Sequence, residues 1–195
     1  MNVELVVKLG GSLLKHVEEY DRVLGVLADV GRARRLLIVP GGGPFADAVR
    51  EVDARVRLSD DAAHWMAILA MDQHAHLIVQ RLVHSALVTS ATEIGHAQSS
   101  ARIPVLAPHR WLREADPLPH SWDVTSDSIA AWCAHAVGAS QLVLIKPSGA
   151  SGGDVVDRYF SRALPPGVSS ACVPADEIDC LLAARDLRQD SNARF

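Results

Sequence analysis

A lysine near the end of a short apolar run is followed almost at once by two glycines and a serine, Lys8-Leu9-Gly10-Gly11-Ser12. A second cluster, Gly41-Gly42-Gly43, stands between the apolar run Leu36–Pro40 and Pro44. Glycines lack a Cβ, so backbone N–H groups in such loops can approach an anion closely. A helix that follows adds its free N–H groups and the positive end of its dipole. Pro44 suits a first helical turn, where a missing N–H costs nothing. Glycines also serve tight strand-to-helix turns, and a single Gly-Gly pair would imply no more than that. Two such loops, with a lysine ending the first strand, point instead to an anion site. Lys8 has a plain alternative role as a snorkelling cation at the sheet edge. Beside Gly10-Gly11, however, its ammonium suits phosphoryl transfer, which needs positive charge where negative charge spreads in the transition state. Neither loop has the spacing of a Walker-type P-loop or of the GxGxxG dinucleotide fingerprint.

Asp127 stands in the stretch SWDVTSDSIAA, residues 121–131, where a helix should begin. Thr125, Ser126 or Asp127 would cap that helix. The aspartate has a second possible role, orienting Lys8 or holding Mg²⁺ on nucleotide phosphates. The 9 histidines do not suggest a metal site. His74 and His76 are two apart and do not share a helix face. His64 is ten residues from His74, and His109, His120 and His135 fall in different elements. Surface or core roles suit them, except that His120 directly precedes the Asp127 segment and could neighbour a substrate. Trp65, Met66, Ile68, Leu69 and Ala70 read as helix core or a pairing face.

These groups need a scaffold, and the chain supplies short apolar runs alternating with longer amphipathic ones. Strands are expected at Val3–Lys8, Leu36–Pro40, Ile103–Ala107, Leu142–Lys146 and Ala171–Pro174, with a weaker one at Ala86–Thr89. Helices are expected at Leu13–Val30, Pro44–Val52, Asp60–Val83, Ser128–Val137 and Asp176–Ala184. Uniformly apolar strands between helices predict an α/β fold, a three-layer αβα sandwich around a mostly parallel sheet. At 195 residues, 49% hydrophobic and 22% charged, the chain fits one globular domain. A net charge of −4 without basic runs argues against a nucleic-acid partner. No leader, and no apolar run long enough for a membrane span, is visible. With three unpaired cysteines, the expected compartment is the cytoplasm.

Taken together, the Lys-Leu-Gly-Gly-Ser start, the triple glycine about 30 residues later and the Thr-Ser-Asp-Ser helix start resemble the amino acid kinase superfamily. The resemblance covers residues 3–145 and implies an ATP-dependent kinase, with Mg²⁺, acting on a small-molecule acceptor. It implies one domain over 1–195, with an acceptor-binding part to about 140 and a shortened nucleotide-binding part from 141. Relatives commonly pair, so a homodimer or higher homo-oligomer is implied. Lys8 takes the place of the lysine on the transferred phosphate, and Asp127 that of the aspartate organising it. The segments PGGGPFADAVREVD, HWMAILAMDQ and HSWDVTSDS resemble, more narrowly, the archaeal-type aminomethyl-furanmethyl phosphate kinases of methanofuran biosynthesis. An acceptor of that kind carries a phosphate and an amine. Gly41, Gly42, Gly43 and Arg50 would serve the phosphate, Asp72 the amine, and Thr125 and His120 would complete the acceptor set. Gly10, Gly11 and Ser12 would hold the terminal phosphates of ATP.

The nucleotide half departs from the family pattern. Its Thr-Asp-x-x-Gly-Val/Ile-Tyr loop is replaced by KPSGASGG, residues 146–153, and no lysine follows Lys146. Either Lys146 supplies the missing cation, with Ser148 and Gly149 cradling phosphate, or the chain has lost ATP binding and keeps only a phosphate-ligand site. Acceptors such as acetylglutamate or isopentenyl phosphate stay open beside the furan phosphate.

Overall fold

Six strands, parallel throughout, form the centre of the computed structural model, which describes residues 3–149 and 156–183. The strands are β1 (Leu5–Leu9), β2 (Leu36–Pro40), β3 (Ser85–Val88), β4 (Ile103–Leu106), β5 (Gln141–Lys146) and β6 (Ser169–Pro174). They lie in the order β3-β4-β2-β1-β5-β6. Every residue of β1 and β2 is buried, as expected of central strands covered on both faces.

Helices are α1 (Val17–Ala33), α2 (Gly43–Val56), α3 (Asp60–Arg81), α4 (Ala91–Ser99), α5 (His109–Ala115), α6 (Ser126–Val137), α7 (Phe160–Ala163) and α8 (Cys180–Ala183). Alternation along β1 divides the core in two. Leu5, Val7 and Leu9 pack with α1 on one face, and Val6 packs with α6 on the other. The long α3 joins both layers: Trp65, Ile68 and Met71 belong to the second cluster, Ala75 and Ile78 to the first. This is the expected αβα arrangement.

Local boundaries differ from the sequence reading where tertiary contacts intervene. The helix expected from Leu13 begins at Val17, because Gly11–Lys15 winds as a 3-10 turn that buries Leu13. The helix after the triple glycine runs on to Val56 rather than stopping at Val52. Helices α4, α5 and the short α7 have no counterpart among the expected elements. The first carries a legible signal, since Ser90 Oγ accepts from the Glu93 N–H while Glu93 accepts from the Thr89 N–H. Of the helix expected at Asp176–Ala184, a 3-10 turn Ala175–Glu177 and α8 form; Ala184 lies outside the described residues. So do residues 150–153 of the KPSGASGG loop.

Candidate active site

The carboxyl ends of β1, β2 and β5 carry the groups singled out above. In parallel pairing Lys8 lies opposite Leu144, so Lys146, two residues on, emerges on the same sheet face beside it. That face is covered by α6, whose first turn presents Asp127. The result is a buried triad. Lys8 Nζ lies 2.8 Å from Asp127 Oδ1, and Lys146 Nζ donates to Oδ2 at 2.7 Å. Exposures are 6% for Lys8, 5% for Asp127 and 17% for Lys146. Burial works to raise the Asp127 carboxyl, but the two ammonium groups outweigh it and hold the carboxyl below its ordinary range. Lys146 is lowered, by burial first and by the Lys8 charge second, with Asp127 opposing both. Two cations share one anion, leaving net positive charge at the base of the site.

The glycine loops close over this triad and against each other. A Cβ on Gly11 would lie 2.2 Å from the Gly43 nitrogen, and one on Gly41 would lie 2.7 Å from the Gly11 nitrogen. Gly43 also has φ +55. Their lack of side chains is therefore required by loop-to-loop packing, and that same packing brings two sets of backbone N–H groups together. Gly10 and Gly41 spend theirs on the Ile145 and Leu9 carbonyls. The Leu13 and Ala46 N–H groups close back on the Gly10 and Gly42 carbonyls and Pro44 has none, which leaves Gly11, Ser12, Gly42 and Gly43 as the loop residues at the cavity wall.

A cavity of about 220 Å³ opens above the triad. Of the residues singled out in the sequence, Lys8, Gly11, Ser12, Gly42, Gly43, Arg50, Thr125, Asp127 and Lys146 line it. Its apolar wall comes from Ala63, Ala67, Ile68 and Met71 of α3 together with Val124 and Ile129. Arg50 lies 4.9 Å above the Trp122 ring and donates to Asp47 at 2.9 Å, and all three residues border the cavity.

Other expected residues sit elsewhere. Gly10 and Gly41 form the seams between loops. Asp72 accepts the His109 N–H at 3.0 Å and does not border the cavity; burial raises its carboxyl. The carboxylates that do border it, besides Asp127, are Asp47 and Asp60. His120 stacks on His64 at 4.1 Å and pairs with Asp61 and Asp116, so it backs a cavity residue rather than lining the wall. Ser148 turns away, its N–H and hydroxyl both donating to Glu19. Gly149 is exposed at φ +73 and is likewise absent from the cavity wall.

Two supports escaped the sequence reading. His74, fully buried, has Nδ1 2.6 Å from the Gly41 carbonyl and Nε2 3.0 Å from Tyr20 Oη. Burial lowers its pKa to about 4, so the ring is neutral. A carbonyl only accepts, so Nδ1 carries the proton and Nε2 accepts from Tyr20. Because peptide C=O and N–H groups point oppositely, this bond fixes the Gly41-Gly42 peptide and the direction of the Gly42 N–H. The signal was a lone polar residue on the buried stripe Met71, Ala75 and Ile78. Asp157 is the second. It accepts from the Thr125 N–H and hydroxyl at 2.9 and 2.8 Å and from the Ser128 N–H and hydroxyl, clamping the start of α6. No spacing signal links it to residues 29 and 32 positions earlier.

The amino acid kinase family model matches residues 4–148, the stretch that holds the whole triad. The chain belongs to the amino acid kinase family. Within it, the chain is similar to the (5-(aminomethyl)furan-3-yl)methyl phosphate kinase of Methanocaldococcus jannaschii, at 26% identity over 139 residues. That match covers 71% of this chain and 63% of the relative, so it spans less than two thirds of the relative's length. Solved structures of this fold include a uridylate kinase from Archaeoglobus fulgidus and a UMP kinase from Ureaplasma parvum. Their TM-scores are 0.69 and 0.68 at 15% identity, covering 92% and 93% of this chain and 96% of each structure. Among the described residues, no helix is long and apolar enough to cross a membrane.

Proposed function

We propose that this chain is an ATP-dependent kinase of a small phosphorylated metabolite, with an aminomethyl-furanmethyl phosphate as the acceptor that best suits the cavity. The observation carrying this is the Lys8–Asp127–Lys146 triad beneath two interlocked glycine loops. Bound ATP would supply the phosphoryl group, with Mg²⁺ neutralising part of its charge. The residues suit the phosphates, which would meet two ammonium groups and the backbone of the glycine loops. They suit a metal carried in by the nucleotide rather than one caged by protein, since both Asp127 oxygens face lysines. Moreover, no cluster of three His, Cys, Asp or Glu that could hold a metal occurs among the described residues.

In this reading Lys8 holds charge on the moving phosphoryl group, Asp127 fixes Lys8 and Lys146 in place, and Arg50 with the Gly42-Gly43 turn holds the acceptor phosphate. The apolar α3 wall and Trp122 suit a flat ring. Asp60 or Asp47, rather than Asp72, is placed to meet an amine. Similarity to a kinase of that acceptor supports this class.

Titration of the protein with Mg-ATP, followed by assay of ADP formation across furan phosphate, acetylglutamate and isopentenyl phosphate, tests the proposal. Saturable nucleotide binding with ADP release on the furan phosphate is expected. Absence of nucleotide binding would sink the kinase reading. One feature favours a second reading, a phosphate-ligand-binding homologue that does not turn over ATP: Ser148 is bonded to Glu19 instead of facing the triad. That reading predicts phosphate binding with no ADP formed.

A further inference from the structure

At the opposite, amino-terminal edge of the sheet lies a second cavity, of about 490 Å³. It is bordered by residues just before β1, β2, β3 and β4 and by the last turns of α1 and α4. Arg32, Arg34, Arg35, Arg102 and His84 line it, against a single carboxylate, Glu4.

Some of that charge has local employment. Arg32 pairs with Asp29, Arg102 donates to the Ser85 carbonyl, and Arg34 donates to Gln141. Helices α1, α3 and α4 also end here, and their carbonyl ends favour cations. These contacts do not use the charge up. Glu4 reaches Arg34 only at 4.0 Å, and neither Arg35 nor Arg102 has a carboxylate partner among the described residues. Two donors in the wall are buried without an acceptor among the described residues, Arg34 Nη1 and Gln98 Nε2. A buried donor left unpaired forfeits its hydration without return, so two at one cavity call for an acceptor. The rim is also strained. His84 and Ala101, both bordering the cavity, hold φ +56 and +52, a region costly for residues with a Cβ.

From this we infer a second ligand site, separate from the triad, for a small oxyanion whose phosphate or carboxylate oxygens would accept from Arg34, Arg35, Arg102 and Gln98. A planar guanidinium fork suits either group. Glu4 and Lys8 lie four residues apart along one extended segment, about 13 Å, so the two sites occupy the two ends of β1. The inference does not depend on the kinase reading.

The test is calorimetric titration of the full chain with inorganic phosphate and, separately, with citrate, each against chloride of equal ionic strength. It is run on Lys8→Met protein, so that loss of phosphate binding at the triad is already accounted for. Adding Arg35→Ala or Gln98→Leu to that background should weaken binding of the preferred anion at least tenfold. Tighter phosphate binding would assign a phosphate ligand, and tighter citrate binding a carboxylate one. Arg35 is exposed, so its replacement keeps the fold testable if Gln98→Leu does not. Binding that changes less than twofold in both variants, or that chloride matches, would overturn the second site.

Discussion

Both ends of the sheet gather cations, yet they handle them oppositely. At the carboxyl end Lys8 and Lys146 are buried and bridged by Asp127 within 2.8 Å. At the amino end, guanidinium groups crowd a cavity with one distant carboxylate and two unpaired donors. A buried charge must be paired in the free protein, because desolvation without a partner is prohibitive. The exposed arginines of the rim, Arg32, Arg35 and Arg102, keep much of their hydration and can wait for a ligand, while Arg34 is held inside by Gln141. The first arrangement is preorganised and rigid, whereas the second is completed by what binds.

Replacing one member of the paired end should therefore cost most. Lys8→Met is expected to lower turnover about 1,000-fold while the remaining Lys146–Asp127 bond preserves the fold, as initial rates and thermal melting would show. Comparable rates for variant and wild type would remove Lys8 from the chemistry. Asp127→Asn leaves two buried ammonium groups facing a neutral amide. It should destabilise the protein by about 3–5 kcal/mol in urea unfolding, the range for breaking a buried pair.

Acid should loosen the same end. His74 has a folded pKa of about 4 against 6.5 unfolded, so the unfolded chain takes up its proton first. Stability is then full above about pH 6.5 and declines as the pH falls toward 4, by about 3 kcal/mol for this residue. His64, lowered to about 4 by burial and by its neighbour His120, acts with the same sign. A flat urea midpoint between pH 6.5 and 4 would show that neither ring is held neutral. At alkaline pH, activity should fall as Lys146 loses its proton, below the ordinary lysine range. Lys146→Arg should push that limb upward. At the open end, Arg35→Ala without ligand should shift stability by no more than about 0.5 kcal/mol, because the Arg35 side chain is exposed and has no carboxylate partner among the described residues. A larger loss would mean that the basin is knitted together like the triad.

Much of the paired end was legible in the chain. Lys8, the two glycine clusters and Asp127 carry strong local signals, since strand ends, tight turns and helix starts are specified by neighbouring residues. The αβα order followed from uniformly apolar strands between amphipathic helices. The sheet runs as expected at all six strands, and even the weaker run at Ala86–Thr89 forms β3 within a residue. What remained hidden depended on distant partners. Asp72 looked suitable beside Met71 but is occupied by the His109 N–H, whereas Asp60 and Asp47 reach the cavity only because α2 and α3 pack side by side.

The sequence by itself determined which residues stand at strand ends, and therefore the kind of chemistry, because backbone turns and strand alternation are short-range. Only the tertiary structure decided that Lys146 completes the triad, since that needs the Lys8–Leu144 register. It likewise decided that His74 holds the second glycine loop, that Asp157 clamps the start of α6 and that four arginines meet at the far edge. Those outcomes arise from the order in which parallel strands assemble, which brings residues distant in the chain into contact and which no local pattern encodes.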